Sequence, residues 1–393
     1  MAHTGSPWRA VHDVGRAVAA TVGLTPTARQ DPARIVLGLT LPIGDTLFVQ
    51  PAVAALRRRY PQARLTAIVY PTNAALAAVN PDIDDLITYH NDPTDRDFIT
   101  RFDAFLPQVH HRRFDMFVSF SPGSNCIAIL SGVPRQVWQR LPFCFWLWGT
   151  TFDAAYRERH AIDHYWQTLH DLGIAPRNPT DRIPIWQVSA AEQDAARVTL
   201  TSAGIADDPA RPLILLHPGA AGFGGRKRWH VEAFGELANH LITDHAAQIV
   251  VLGAPVDVSL AAQIVGATAG RAVSLAGQTS LLQSIAIITQ ARVYVGNDSG
   301  LTHFAVALQR PTVALFGVSD LAQFAPRAAD PRLLRLLLPH PVPAPAGFFI
   351  GTESGLFAPP HPVDDRMEHI SVARVCAAVA SLGLARAEVA TTP

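Results

Sequence analysis

Four small polar residues, Asn297-Asp298-Ser299-Gly300, interrupt an apolar stretch that runs from Val293 to Leu308, and His303 follows three positions later. The chemistry these types suit is anion binding. A helix N-terminus presents N–H groups without intrahelical partners and carries partial positive charge. Small residues there let a phosphate approach the backbone. His303 falls near the first turn, within reach of a bound anion. Asp298 and Ser299 are also suited to capping a helix that begins near Leu301. Ser299 lacks the G-x-S-x-G setting of a hydrolase nucleophile, which excludes that chemistry.

A second segment has the same design. His217 to Phe234, HPGAAGFGGRKRWHVEAF, reads as a strand end, a glycine-rich loop and a helix. It is not a Walker A loop, because Gly225 is followed by Arg226-Lys227, and it is not G-x-G-x-x-G in register. Lys227 is placed where its ammonium can meet a diphosphate as a point charge. Trp229 reads as a packing residue. Two phosphate-suited loops in one half of the chain point to a nucleotide diphosphate.

Both loops need strands to carry them. From Arg34 the sequence alternates strand and helix. Arg34–Thr40 is a predicted strand, Ile43-Gly44-Asp45 a turn, Thr46–Arg59 a helix, Leu65–Tyr70 a strand, Asn73–Val79 a helix and Leu86–Tyr89 a strand. Phe114–Phe120 follows as a strand that ends in a loop, Ser121 to Asn125. The alternation restarts at Pro212. Strands are predicted at Leu213–Leu216, Gln248–Leu252, Ala272–Leu275, Arg292–Val295 and Pro311–Phe316. Helices are predicted at Trp229–Asp244, Ser259–Thr268, Ser280–Gln290 and Ile370–Leu382, with Leu337–Pro362 as a loop. This spacing means βαβ units and mostly parallel sheets. The expected organisation is an N-terminal extension over 1–33 and two doubly wound, Rossmann-like α/β domains over 34–187 and 188–393. Ligands of such sheets bind beyond the strand carboxyl ends. The loops at Asp45, His217–Lys227 and Asn297–Gly300 all fall there, so two domains facing a shared cleft are expected.

Composition narrows the partners. The 393 residues fit about two domains. A hydrophobic fraction of 49%, a charged fraction of 16% and a net charge of zero describe globular cores and argue against nucleic acid. Cys126, Cys144 and Cys376 are odd in number and far apart, which speaks against a disulfide framework and a zinc site and fits a reducing cytoplasm. No apolar run reaches the roughly 18–20 residues of a membrane span. Arg9, His12, Asp13 and Arg16 interrupt any signal-peptide core.

Taken in combination, HPGA…KRW…F, GNDSGLTHFAVAL, PTVALFG and the early GDTLFVQPAVAALRRRYPQARLTAIVYPTNAALAAVNPDIDDLITY resemble glycosyltransferase family 9, the ADP-heptose heptosyltransferases. The likeness runs from about Arg34 to Pro326, with a weaker stretch near Met367–Val375. It implies a GT-B fold, an N-terminal acceptor domain, a C-terminal donor domain and metal-independent, inverting sugar transfer. The family's carboxylate after the first strand matches Asp45, its donor-phosphate lysine matches Lys227, and its Asp-Ser/Thr-Gly-Leu loop matches Asp298 to Leu301 with His303 following. The implied donor site comprises His217, Gly219, Ala220, Lys227, Arg228, Gly253, Asp298, Ser299, Gly300, Leu301 and His303. The implied acceptor side comprises Gly44, Thr46, Ser121 and Asn125. The sequence departs from the family in two places. No Arg precedes Gly44-Asp45, and the usual Gly-Gly-Pro is Gly253-Ala254-Pro255.

The expected reaction is attack by an acceptor hydroxyl on the anomeric carbon of ADP-heptose or another nucleotide-diphospho-sugar. Asp45 is the candidate general base. Lys227 and the N–H groups at Ser299-Gly300-Leu301 are expected to stabilise the leaving diphosphate. The acceptor stays open among a glycan, a lipid-linked sugar, a protein and a natural product. Two other classes stay open as well: a sugar-nucleotide epimerase on the same scaffold, and a binding protein without catalysis. No metal or other cofactor is expected. His160 and His164 would share a helix face but need a further ligand to hold a metal. The aromatic Leu141–Gly149 stretch, and an amphipathic pattern with Trp8, Val11, Val14, Val18 and Val22, are candidates for peripheral contact with the inner face of a membrane.

Overall fold

The computed structural model describes residues 31–90, 105–138, 159–221, 225–339 and 367–383. The chain divides into two compact units, residues 1–182 and 183–393.

The first unit holds a five-stranded sheet, β1 (Arg34–Leu39), β2 (Arg64–Val69), β3 (Asp85–Thr88), β4 (Met116–Ser119) and β5 (Arg135–Trp138). The spatial order is β3-β2-β1-β4-β5 and every pairing is parallel. β1 and β2 are buried beyond their first residue and β4 throughout, as a parallel sheet covered on both faces requires. The chain order reverses between β1 and β4, where Gly38 pairs with Ser119.

Three local expectations are corrected here. Thr46–Arg59 is not one helix, and Ile43-Gly44-Asp45 is not a turn. The chain makes a short helix, Ile43–Phe48, and a second, Gln50–Arg59, with Val49 between them. Pro51 has no N–H to donate back to Leu47, so the first helix ends and the second begins with proline in its first turn. Ser121 to Asn125 is not a loop either. Ser121 caps a helix, Pro122–Leu130, by accepting from the Ser124 N–H at 3.2 Å. Proline early in that helix suits the position, because no intrahelical N–H is needed there.

The second unit holds β6 (Leu213–His217), β7 (Gln248–Val251), β8 (Val273–Ser274), β9 (Val293–Asn297), β10 (Thr312–Leu315) and β11 (Leu334–Leu337). The order is β11-β10-β9-β6-β7-β8, again parallel throughout. Read from β8, this is the 3-2-1-4-5-6 order of a Rossmann sheet, with its switch point between β6 and β9. β5 and β11 were not legible in the sequence, where Leu337 opened the expected loop. Both are short edge strands without a fully apolar run.

Helices Ala190–Ser202, Val231–His245, Val258–Ala267, Leu281–Ile288, Gly300–Ala307 and Val372–Ser381 belong to this unit. Two of them start at capping boxes, Ser189 with Glu192 and Ser280 with Gln283. Trp186 is tied to this unit as well. Its N–H donates to the Ala307 carbonyl at 3.2 Å, and its ring meets Phe304 edge-on at 5.0 Å. One core joins β6, β7, β9 and β10 to Trp229, Phe234, Leu237, Leu241, Ile264, Ile370 and Val375.

Candidate nucleotide-sugar site

The switch point of the second sheet is bridged by side chains. His217 ends β6 beside Gly296 of β9. Asn297 ends β9 fully buried. Its side-chain oxygen accepts from the Trp229 N–H at 3.0 Å, and its amide donates to the Pro218 carbonyl at 2.8 Å. One residue therefore fixes both phosphate-suited loops to each other. The Trp229 indole N–H donates to the Ile370 carbonyl at 2.8 Å, and the ring is buried against Phe234. It packs, as its sequence context indicated.

Lys227 and Asp298 meet across this junction. Lys227 Nζ lies 2.6 Å from Asp298 Oδ2, and both side chains are largely buried. His303 Nε2 lies 3.7 Å from the other carboxylate oxygen, and the Ser319 hydroxyl donates to Oδ2. Burial works to raise the Asp298 pKa. The Lys227 and His303 contacts outweigh it and hold the carboxyl well below its ordinary range.

Helix Gly300–Ala307 starts at Ser299 without a side-chain cap, which corrects the expectation that Asp298 and Ser299 cap it. Asp298 is engaged by Lys227. Ser299 Oγ lies 3.1 Å from His217 Nδ1 and 3.2 Å from Thr302 Oγ1, and the Thr302 hydroxyl donates to the Asn297 carbonyl at 2.5 Å. The first N–H groups of this helix, at Gly300 and Leu301, therefore have no competing side-chain acceptor from their own cap. That suits an anion.

His217 is buried, and burial pushes its pKa down to about 4. Asp257 opposes that shift and Arg228 adds to it. The imidazole is therefore neutral at physiological pH. Asp257 went unnoticed in the sequence. Its Oδ2 accepts from the Ala254 N–H at 3.0 Å, and Arg228 approaches Oδ1 at 3.9 Å. The Asp257 side chain fills the space over two glycines, its carboxylate at Gly219 and its Cβ at Gly253. A Cβ on Gly219 would fall 2.3 Å from Asp257 Oδ2, and one on Gly253 would fall 2.8 Å from Asp257 Cβ. The signal that could have found it was the Pro255-Val256-Asp257 turn after a buried strand, which places an acid at a strand carboxyl end. Arg228 Nε also donates to the Ala220 carbonyl at 3.2 Å. The structure thus brings together His217, Gly219, Ala220, Lys227, Arg228, Gly253, Asp298, Ser299, Gly300, Leu301 and His303 at one end of one sheet. A cavity of about 810 Å³ lies at the opposite end of that sheet, lined by Arg211, Leu213 and Arg292, and takes no part in this constellation.

The first unit repeats the placement at its own switch point. Asp45 lies in the first turn of Ile43–Phe48, just beyond β1, and accepts from the Tyr165 hydroxyl at 2.6 Å. Gly44 is half-buried beside it. Thr46 is buried, donates to the Pro42 carbonyl at 3.0 Å and accepts from Asn73 at 2.9 Å. Ser121 is buried and lies 2.6 Å from Thr40 Oγ1. These two hydroxyls tie the strand ends together. Asn125 lies within the Pro122–Leu130 helix, and its Oδ1 is buried with no hydrogen-bond partner among the described residues.

His160 caps helix Ala161–His170, with Nδ1 accepting from the Ile162 N–H at 3.2 Å, and His164 is buried. Among the described residues no group of three His, Cys, Asp or Glu side chains is placed to hold a metal ion, and no helix is long and apolar enough to cross a membrane. Leu141–Gly149, the residue 1–30 pattern and residues 222–224 of the glycine-rich loop lie outside the described residues.

Two Rossmann-like units, each with its polar residues at the sheet switch point, are the architecture of the GT-B fold. Comparison with known proteins gives the family. A model of glycosyltransferase family 9 (heptosyltransferase) matches residues 137–340, just over half of the chain, and the protein belongs to that family. Lipopolysaccharide heptosyltransferase 2 of Escherichia coli (strain K12) is 28% identical over 309 residues, which cover 75% of this chain and 86% of the relative. The solved structure of E. coli ADP-heptose lps heptosyltransferase II matches with a TM-score of 0.67 at 24% identity, over 89% of this chain and 98% of that one. A family 9 glycosyltransferase from Veillonella parvula DSM 2008 matches with a TM-score of 0.69 at 20% identity, over 89% and 97%.

Proposed function

We propose that this glycosyltransferase moves a heptose from ADP-heptose to a hydroxyl of a lipopolysaccharide-core glycan, with inversion and without a metal, at the cytoplasmic face of the membrane. The observation that carries the reading is the Lys227–Asp298 pair beside the uncapped start of helix Gly300–Ala307, at the switch point of a Rossmann sheet. The named relatives, which carry lipopolysaccharide heptosyltransferase and ADP-heptose in their descriptions, support the choice of donor and acceptor.

In this reading Asp45 takes the proton of the acceptor hydroxyl as its oxygen bonds to the anomeric carbon. The bond from that carbon to the β-phosphate oxygen breaks on the opposite face, and ADP leaves with the bonding pair. Charge grows on the diphosphate as this happens. Lys227 has three ammonium protons, so it can keep Asp298 as a partner and still donate to a phosphate oxygen. The N–H groups of Gly300 and Leu301 add fixed dipoles that need no reorganisation. Neutral His217 holds Ser299, and the Asn297 amide holds the two loops at a fixed spacing.

Calorimetric titration with ADP, UDP, GDP and ADP-heptose tests the donor. The expected result is selective ADP binding that is lost in Lys227→Ala. A preference for UDP or GDP would reject the heptose donor. Asp45→Asn is expected to cut turnover by at least about a hundredfold, with ADP affinity retained. Full activity in that variant would remove Asp45 from the mechanism.

A further inference from the structure

Asp45 has a partner on another element. Tyr165, from helix Ala161–His170, donates its hydroxyl proton to Asp45 Oδ1 at 2.6 Å. The Tyr165 side chain is only 4% exposed, and its ring lies edge-on to Phe120 at 6.2 Å. Packing therefore fixes the ring, and with it the direction from which the hydroxyl reaches the carboxylate. Nothing in the local sequence announces this pair, because its members are 120 residues apart.

We infer that Tyr165 is a positioning residue for sugar transfer, setting the orientation and proton affinity of the Asp45 carboxylate. The inference rests on the reading of Asp45 as general base. A hydrogen bond from a neutral hydroxyl to a carboxylate is short and charge-assisted. It favours the ionised form, so the base stays available at lower pH. It also holds one carboxylate oxygen, which limits rotation about the Cβ–Cγ bond. A proton-abstracting oxygen must sit within hydrogen-bond reach of the acceptor hydroxyl, and a fixed carboxylate plane meets that requirement without a search.

Among the described residues, the ionisable side chains on the elements packed against Asp45 are the following. Ile43–Phe48 carries no other ionisable side chain. Helix Gln50–Arg59 packs against it and holds three arginines in its last turn, where Arg57 pairs with Asp84 and Arg59 with Asp31. The Pro71–Asn73 turn packs on it and has no ionisable group. Helix Ala161–His170 contributes Tyr165, the buried His164, Asp163, which faces Arg182 at 3.4 Å, and the exposed His170 in its last turn beside Asp171, and His160 at its cap lies 5.2 Å from the Phe48 ring. A purely structural role would use the same hydrogen bond to tie this helix to Ile43–Phe48. The two roles separate by what changes when the hydroxyl is removed.

Tyr165→Phe keeps the ring and its packing. We would compare it with the wild type by kcat and KM against pH, using ADP-heptose and a heptose-deficient lipopolysaccharide core as substrates. In parallel, aspartate labelled at ¹³Cγ would be titrated by NMR, with the Asp45 signal assigned by its absence in Asp45→Asn. The expected result is a kcat lower by about tenfold and an acid limb raised by about one pH unit, from loss of one hydrogen bond to a charged group. The Asp45 ¹³Cγ midpoint should rise equally, with ADP Kd within about twofold of the wild type. Unchanged acid limb and ¹³Cγ midpoint would overturn the inference, including where kcat falls through lost stability alone. If Asp45→Asn is inactive while Tyr165→Phe matches the wild type, only the role of Tyr165 fails. If Asp45→Asn stays active, the base assignment and this inference fail together. The ¹³Cγ titration requires no acceptor, so an unchanged midpoint counts against Tyr165 even where turnover is not detected.

Discussion

Lys227 Nζ sits 2.6 Å from Asp298 Oδ2, an ion pair between two loops that are 71 residues apart in sequence and adjacent at the switch point of one sheet. Both groups are largely buried, and the Lys227 ammonium, with His303, holds the Asp298 carboxyl ionised against its burial. Removing one partner of such a pair leaves an uncompensated charge and costs about 3–5 kcal/mol. Lys227→Ala is therefore expected to lower thermal stability and to weaken ADP binding together. Lys227→Ala with Asp298→Asn should recover much of the stability but not the affinity. Differential scanning calorimetry with ADP titration separates the two effects. Equal recovery of both would mean that Lys227 acts only through the fold.

The buried His217 gives a pH dependence of defined sign. Its folded pKa, pushed down to about 4, lies below the value of about 6.5 expected in the unfolded chain. Between these values the unfolded state binds a proton that the native state does not, so stability falls as pH falls. The loss from pH 7 to pH 5 from this group is about 2 kcal/mol. Urea unfolding at both pH values should show it, and His217→Gln should flatten that part of the profile. An equally steep profile in the variant would assign the effect to another group.

Gly219 has no room for a side chain. A methyl group there would meet the Asp257 carboxylate at 2.3 Å. Overpacking of this kind costs about 1–3 kcal/mol, and Gly219→Ala should lose that much stability by chemical denaturation. In an Asp257→Ala background the penalty should shrink, because the obstructing carboxylate is gone. An undiminished penalty would place the clash elsewhere.

The Trp229 indole N–H ties the start of helix Val231–His245 to the Ile370 carbonyl, and so to the start of helix Val372–Ser381. Trp229→Phe removes this buried donor and leaves the carbonyl unsatisfied, for about 1–3 kcal/mol. Hydrogen exchange should show weaker protection over Val372–Ser381. Unaltered protection there would mean that the apolar core alone holds this helix.

The sequence by itself determined the elements and the chemistry of their ends. Apolar strands separated by helices fixed two parallel α/β units. The small residues at 297–300 and the glycines before Lys227 marked phosphate-suited loops, because backbone approach and helix-end polarity are local properties. Local rules reached less far where proline and edge position intervene. Pro51 split an expected helix, Pro122 began one where a loop was expected, and the short strands β5 and β11 carry too little apolar signal. Only the tertiary structure decided which residues meet. Sheet order placed β6 beside β9, and that adjacency set Lys227 on Asp298, His217 on Ser299 and Asn297 between Trp229 and Pro218. In the first unit, packing of helix Ala161–His170 on Ile43–Phe48 set Tyr165 on Asp45, and in the second the pairing of β6 with β7 set Asp257 over Gly219 and Gly253. These contacts depend on strand pairing and helix packing between distant segments, so no residue's type or near neighbours encode them, and those around Asp298 and His217 set the protonation states of these two groups.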